Sequence, residues 1–303
     1  MDSTRNTHLG DSRDFASRFM GSAIDGLVVR CFGRFEVSCG ERVVSTWRRD
    51  KAKTLLKLLV AQHGSIQRDV LLDLLWPELA PDSAVRNLRV TLHALRRALE
   101  CVSATTPCVI TRAEAVELNA ECPIWIDLSA FSALYALAES LWRRGQVDDA
   151  VSVYEQVERL YRDDYLLDDL YEEWTVVPRE RFKDQYLLAA TRLADAALQA
   201  RDYDACIEYC HKILTRDASR EDAYQRLMRC HAHMGRPARA LRWFELCRVM
   251  LQHELNVEPS RDTVRLEALI RSGRALLALD VPVRTELERN LHDEAPSRVA
   301  VAV

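Results

Sequence analysis

Between Pro81 and Glu100 the apolar residues return at intervals of three and four: Val85, Leu88, Leu92, Leu95 and Leu99. That spacing predicts one helix with a single apolar stripe, and such a stripe has to be seated on other elements. Pro81 suits the first turn, where its missing amide costs nothing, and Asp82 or Ser83 can cap the free amides. At about 100° per residue, Arg86, Val90, His93 and Arg97 lie opposite the stripe. Arg89 and Arg96 fall on one shoulder, Asn87 and Ala94 on the other. The outer face therefore carries four arginines, an amide and an imidazole. Arginine forks match guanine edges, asparagine matches adenine, and phosphate backbones attract a cationic face. Arg86, Asn87, Arg89, Val90, His93 and Arg97 are thus the base-reading candidates, Val90 facing a thymine methyl. An ordinary solvated amphipathic helix has the same pattern, so the flanking elements decide.

Those flanks have a definite order. LVVRCF from Leu27, FEVSC from Phe35 and RVVSTW from Arg42 are β-rich runs separated by Gly33 and Gly40, which predicts three short strands. Asp50 to His63 follows with Ala52, Leu55, Leu56, Leu59 and Val60 at helical spacing, and Gly64 supplies the stop. Arg48, Arg49, Lys51 and Lys53 crowd its start, where free amides and the helix dipole favour an anion, so they are phosphate candidates together with Arg96. A second helix from Asp69 to Leu75 is expected to bury Val70, Leu71, Leu74 and Leu75, ending at Trp76-Pro77. After the third helix, CVIT and VELN flank a turn at residues 112–115 and predict a hairpin. Strands, three helices and a hairpin make a winged helix, whose third helix enters the major groove and whose hairpin is the wing. Arg112, at the hairpin tip, is a further backbone contact.

Composition bounds the remainder. The 303 residues suffice for two domains, and no apolar run is long enough to span a membrane. The first 22 residues lack a secretory core, which predicts a cytoplasmic protein. The net charge of −4 divides unevenly: residues 1–120 hold 17 Lys+Arg against 14 Asp+Glu, the rest 25 against 32. A basic first part and an acidic second part fit DNA binding at one end. Nine scattered cysteines without a C-x-x-C pair favour reduced thiols over a disulfide framework.

WRRDKAKTLLKLL, LLDLLWPE and NLRVTLHALRRALE together resemble the winged-helix domain, of the response-regulator output type, in the SARP family of bacterial transcriptional activators. Ile126-Asp127-Leu128 with Phe131, and the stretch from Asp217 to Ser260, are similar to the bacterial transcriptional activator domain that follows in that family. Asn256 stands where the family usually has glycine, and asparagine also tolerates a left-handed cap. The resemblance implies two copies on direct repeats of double-stranded DNA near a promoter, as a homodimer at least when bound. It also implies contact with RNA polymerase, including its sigma factor.

Read on its own residues, the second part is helical and repetitive. Aligning Gly145, Ala200 and Gly235 places alanine five residues later (Ala150, Ala205, Ala240) and an aromatic nine later (Tyr154, Tyr209, Phe244). That is the pattern of tetratricopeptide-like helix pairs, whose surface suits a peptide, a partner helix or a small effector such as a nucleotide second messenger. The acid-rich insert from Arg162 to Trp174 reads as a solvated loop. Cys206 and Cys210 lie four apart on one helix; a thiolate or metal site is one reading and a small-residue core the favoured one. Nucleotide-binding glycine motifs, H-E-x-x-H and G-x-S-x-G are all missing from the sequence, so neither an enzyme nor a cofactor is expected. The expected architecture is mainly α with a small β component. Its segments are a disordered arm (1–25), a winged helix (26–120), a helical repeat domain (121–279) and a loose tail (280–303). A scaffold whose winged helix binds protein rather than DNA is the rival from another class.

Overall fold

The structure, a computed structural model, describes residues 26–100 and 107–273. The expected arm and tail therefore lie outside the described residues. Helices and short strands alternate first: β1 (Leu27–Arg30), β2 (Glu36–Cys39), β3 (Arg42–Val43), α1 (Asp50–Ala61), β4 (Ser65–Gln67), α2 (Arg68–Leu75), α3 (Pro81–Ala98), β5 (Val109–Arg112), β6 (Ala115–Leu118) and β7 (Ile124–Ile126). Only helices follow: α4 (Asp127–Arg143), α5 (Val147–Leu160), a 3-10 turn (Leu167–Asp169), α6 (Glu173–Gln199), α7 (Tyr203–Arg216), α8 (Glu221–His233), α9 (Pro237–Leu255) and α10 (Arg261–Arg271). The described residues divide into two compact units, one up to Ala136 together with Arg159–Glu180, the other Leu137–Glu158 together with the helices from Arg181 onward.

In the first unit, two small sheets bracket the helices. One has the order β3-β2-β1-β7 and the other β4-β6-β5. β4 and β7 had no signal in the sequence, being three residues each and defined by their partners. β4 pairs antiparallel with β6, Ile66 opposite Val116, and β7 pairs parallel with β1, Val28 opposite Trp125. Leu55, Leu56, Leu59, Leu71, Leu75 and Leu95 are fully buried between α1, α2 and α3. α1 ends where expected, His63 and Gly64 both adopting positive φ, and the Gly64 amide returns to the Leu59 carbonyl at 2.7 Å. α2 departs from expectation: Leu71 and Leu75 are buried, but Val70 and Leu74 are exposed. Eight residues make barely two turns, and only one side of them meets α1 and α3.

Asp127 joins the first sheet to α4. Its Oδ2 accepts the amides of Cys31 at 2.7 Å and Phe32 at 3.0 Å, closing the end of β1. Burial pushes this carboxyl up to about 6, against the lowering effect of those amide donors. The acid-rich insert is not a solvated loop. The Leu166 amide donates to the Cys31 carbonyl at 2.9 Å, that of Leu167 to Gly33 at 3.0 Å, and that of Gly33 to Asp164 at 3.0 Å. The buried Lys57 ammonium pairs with Asp169 and lies 5.3 Å from the Phe35 ring centre. The insert therefore belongs to the first unit, and its carboxylates answer cations about 110 residues earlier in the chain.

The second unit stacks α7 on α8, α8 on α9 and α9 on α10. Met228, Ala240, Leu266 and Ile270 form one apolar cluster, and Tyr224, Cys247 and Leu251 another. The repeat is real, but its middle copy is registered one residue later than the sequence alignment implied. The left-handed positions that open the three repeats are Gly145, Arg201 and Gly235. Five residues on from each come Ala150, Cys206 and Ala240, all fully buried; Ala205 is only half-buried. Nine on come Tyr154 and Cys210, fully buried, and Phe244, half-buried. Cys206 and Cys210 are thus core residues standing in for alanine and an aromatic. Cys206 meets the side chains of both Cys210 and Cys230. Among the described residues no group of three or more His, Cys, Asp or Glu side chains is placed to hold a metal ion.

One expectation about cysteine is corrected. Cys108 and Cys122 are joined as a disulfide with Cα atoms 5.4 Å apart. The turn after β6 brings them together, the Asn119 amide donating to the Cys108 carbonyl and that of Cys122 to Asn119. No C-x-x-C spacing announces it, because the strand pairing makes the approach.

Candidate nucleic-acid interface

α3 runs for 18 residues with Ala80 as its N-cap, and neither Asp82 nor Ser83 caps it. Ser83 Oγ instead accepts from the Arg86 guanidinium at 2.9 Å. The predicted stripe is buried at Leu88, Leu92, Leu95 and Leu99, and Ala84 and Thr91 widen it; Val85 is half-buried. This seats α3 on α1 and α2. Opposite, Arg86, Arg89, Val90, His93 and Arg97 are exposed and Asn87 is half-buried. Val90 is 45% exposed, an apolar side chain among cations. Arg97 has only a loose neighbour in Glu100, at 4.0 Å. The helix thus offers a continuous cationic row, its geometry fixed by the buried stripe behind it.

The wing stands beside that row. β5 and β6 pair from Val109 opposite Leu118 to Arg112 opposite Ala115, and Ala113 takes the left-handed conformation in the turn. Arg112 is the last residue of β5, one before the turn, and lies 4.0 Å from Glu117 with its side chain 70% exposed. Arg96 ties α3 to the wing. Its Nε donates to the Val109 carbonyl at 2.8 Å and its Nη2 to Thr111 Oγ1 at 3.1 Å. Arg68, at the start of α2, reaches the other side of the wing, 3.6 Å from Glu114. Between these elements lies a cavity of about 230 Å³, with Arg68, Arg89, Arg96 and Thr111 around an apolar floor of Val85, Leu88 and Leu92. Arg68 and Thr111 had no signal in the sequence; only strand pairing brings them to α3.

The start of α1 is also open. Its N-cap, Arg49, is extended and no side chain caps the helix. Arg48, Arg49 and Lys51 are exposed around it. Lys53, the fourth candidate on this helix, is half-buried and already has a carboxylate partner. It pairs with Asp168 at 3.4 Å and lies 5.8 Å from the Phe35 ring centre, on the side of α1 that the insert covers. Two residues beyond Lys51 is about 200° around a helix, so the two lysines face opposite ways.

The described residues thus form a winged helix followed by paired helices. Residues 126–271 match the model of the bacterial transcriptional activator domain family. Among solved structures, one of Mycobacterium tuberculosis EmbR in complex with a low-affinity phosphopeptide is similar at 19% identity with a TM-score of 0.65. It covers 84% of this chain and 67% of that one. Looser matches include the TPR2B domain of yeast Sti1 in complex with pHsp70, at 14% identity over 48% of this chain and 98% of that one (TM-score 0.35). Another is YrrB, a TPR protein with an unusual peptide-binding site, at 14% identity over 75% of this chain and 97% of that one (TM-score 0.30). No curated protein sequence matches the chain. Among the described residues no helix is long and apolar enough to cross a membrane.

Proposed function

We propose that this regulator is a sequence-specific DNA-binding activator, with residues 26–120 reading DNA and 121–279 serving activation. The observation that supports it best is the exposed row on α3, cationic outside and anchored by its buried stripe, with a wing beside it. Arg86, Asn87, Arg89, Val90, His93 and Arg97 read bases in the major groove. Arg48, Arg49 and Lys51 hold the backbone at the start of α1, and Arg112 holds it from the wing. Arg96 acts chiefly by setting the angle between α3 and wing. Two copies bind direct repeats and hold RNA polymerase, including its sigma factor, at the promoter.

Binding sites selected from random duplexes, followed by fluorescence anisotropy on selected and scrambled DNA, test this. Arg86→Ala and Arg97→Ala should each weaken the selected site by about 1–3 kcal/mol and relax its sequence preference. Lys51→Ala should weaken both duplexes alike and flatten the salt dependence by about 0.9 in the log–log slope. Equal losses on both duplexes for every variant would refute the assignment of α3 as the reading helix.

A further inference from the structure

The cavity between α3 and the wing is walled by cations and floored by hydrocarbon, and no carboxylate lines it. Arg68, Arg89 and Arg96 bring three guanidinium groups to it. Arg89 is exposed and has no hydrogen bond or ion pair among the described residues. Arg96 is fixed through Nε and Nη2 by the Val109 carbonyl and Thr111 Oγ1, which leaves its Nη1 uncommitted among those residues. Thr111 accepts in that bond, so its own hydroxyl proton can be donated elsewhere. Arg68 donates to the Ala113 carbonyl at 3.5 Å and stands 3.6 Å from Glu114. That carboxylate is 77% exposed, and a pair so open to water answers little of the charge.

Cations gathered around one opening repel one another, and an anion placed among them removes that cost. Guanidinium forks fit carboxylates through two parallel hydrogen bonds. The floor narrows the choice of anion. Leu88 and Leu92 are buried and Val85 is half-buried, and a bare hydrated ion gains nothing by covering them. Aliphatic cavities of about 150 Å³ take a benzene ring. This one, at about 230 Å³, has room for a ring that carries a carboxylate. An apolar bed with a few polar groups that fix orientation is the usual plan of a small-molecule site.

We infer that the cavity binds a small aromatic carboxylate, its ring on the floor and its anionic end between Arg68, Arg89 and Arg96. A ligand so placed bridges α3 to the wing and withdraws Arg89 from the bases, so it opposes DNA. Occupancy of the cavity is independent of the DNA-binding reading, whereas the opposition to DNA rests on it.

The full chain is tested with phenylacetate in equilibrium dialysis. Phenylethanol serves as the neutral probe of the same skeleton, and acetate as the charge without the ring. One equivalent of phenylacetate should bind with a Kd of about 1 mM or lower, and the other two at least about tenfold more weakly. Arg68→Gln should weaken phenylacetate by about tenfold and leave phenylethanol unchanged. Val85→Glu, which sets a carboxylate into the floor, should abolish binding while keeping the wild-type circular dichroism. Phenylacetate at about ten times its Kd should weaken the selected duplex by about fivefold or more in the wild type and not in Val85→Glu; acetate at that concentration should do neither. No uptake of phenylacetate at about 10 mM overturns the site. So does uptake no better than that of phenylethanol, or uptake equal in the wild type and both variants. Binding in the cavity that leaves DNA affinity unchanged overturns the opposition to DNA. A wild type that takes up phenylacetate yet selects no duplex overturns the DNA-binding reading and leaves the site standing.

Discussion

Among the described residues of the second unit, Arg226 is a fully buried cation. Its side chain is fully enclosed. Nε and Nη2 bind Asp195 at 2.7 and 2.9 Å, and Nη1 binds Asp222 at 2.8 Å. Asp222 is equally enclosed and has one other cation, Arg220, at 2.9 and 3.0 Å. Arg226→Met keeps the apolar stem and removes three charge-assisted hydrogen bonds, each worth about 1.5–3 kcal/mol. Asp195 is partly exposed and regains some water, and Asp222 keeps Arg220. The net loss should therefore be about 3–5 kcal/mol at pH 7, the usual cost of breaking a buried pair. The pH dependence carries the sign. Burial raises the Asp222 carboxyl, but Arg226 and Arg220 outweigh it and hold the group well below its ordinary range. Its stabilisation is complete above the unfolded value of about 4 and fades as pH falls through the lower folded one. The deficit of Arg226→Met should accordingly be full at pH 7 and shrink below about pH 4, as the stranded Asp222 carboxylate takes up a proton. Urea unfolding of the full chain, followed by circular dichroism at pH 7 and pH 3.5, measures both quantities. Adding Asp195→Asn and Asp222→Asn should restore most of the loss at pH 7. A deficit under about 1 kcal/mol, or one that grows on acidification, would refute the reasoning.

Three further outcomes follow from particular contacts. Asp127, with its folded value raised to about 6 by burial, contributes stability that is whole below about pH 4 and lost as pH rises through 6; Asp127→Asn should flatten that part of the melting-temperature profile. At Gly26 a Cβ would stand 2.3 Å from the Pro123 carbonyl oxygen, so Gly26→Ala should prise β1 from β7 and cost about 1–3 kcal/mol, read by thermal denaturation. Asn256 ends α9 in the left-handed conformation at φ 55°; Asn256→Ala should cost about 1–2 kcal/mol in unfolding free energy and Asn256→Gly only a few tenths.

What the sequence could carry is local. The interval of three and four in α3 determined which residues are buried and left Arg86, Arg89, Val90, His93 and Arg97 outside, because helical geometry alone assigns those faces. Gly64, Gly145, Gly235 and Asn256 marked helix ends for the same reason, needing only a few neighbouring residues to make sense. The middle repeat slipped by one because Arg201, not a glycine, takes the left-handed position, and cysteines fill the places of alanine and an aromatic.

The rest was decided by partners distant in the chain. Lys51 and Lys53 look alike in sequence, yet the folding of Asp168 onto α1 gives Lys53 a carboxylate partner and leaves Lys51 exposed. β4 and β7 are strands because β6 and β1 offer them backbone groups, and Cys108 meets Cys122 because the turn after β6 closes there. An acid-rich stretch is soluble by composition wherever it lies. Whether it floats or docks depends on buried cations such as Lys57 and Arg179, whose positions no local periodicity encodes.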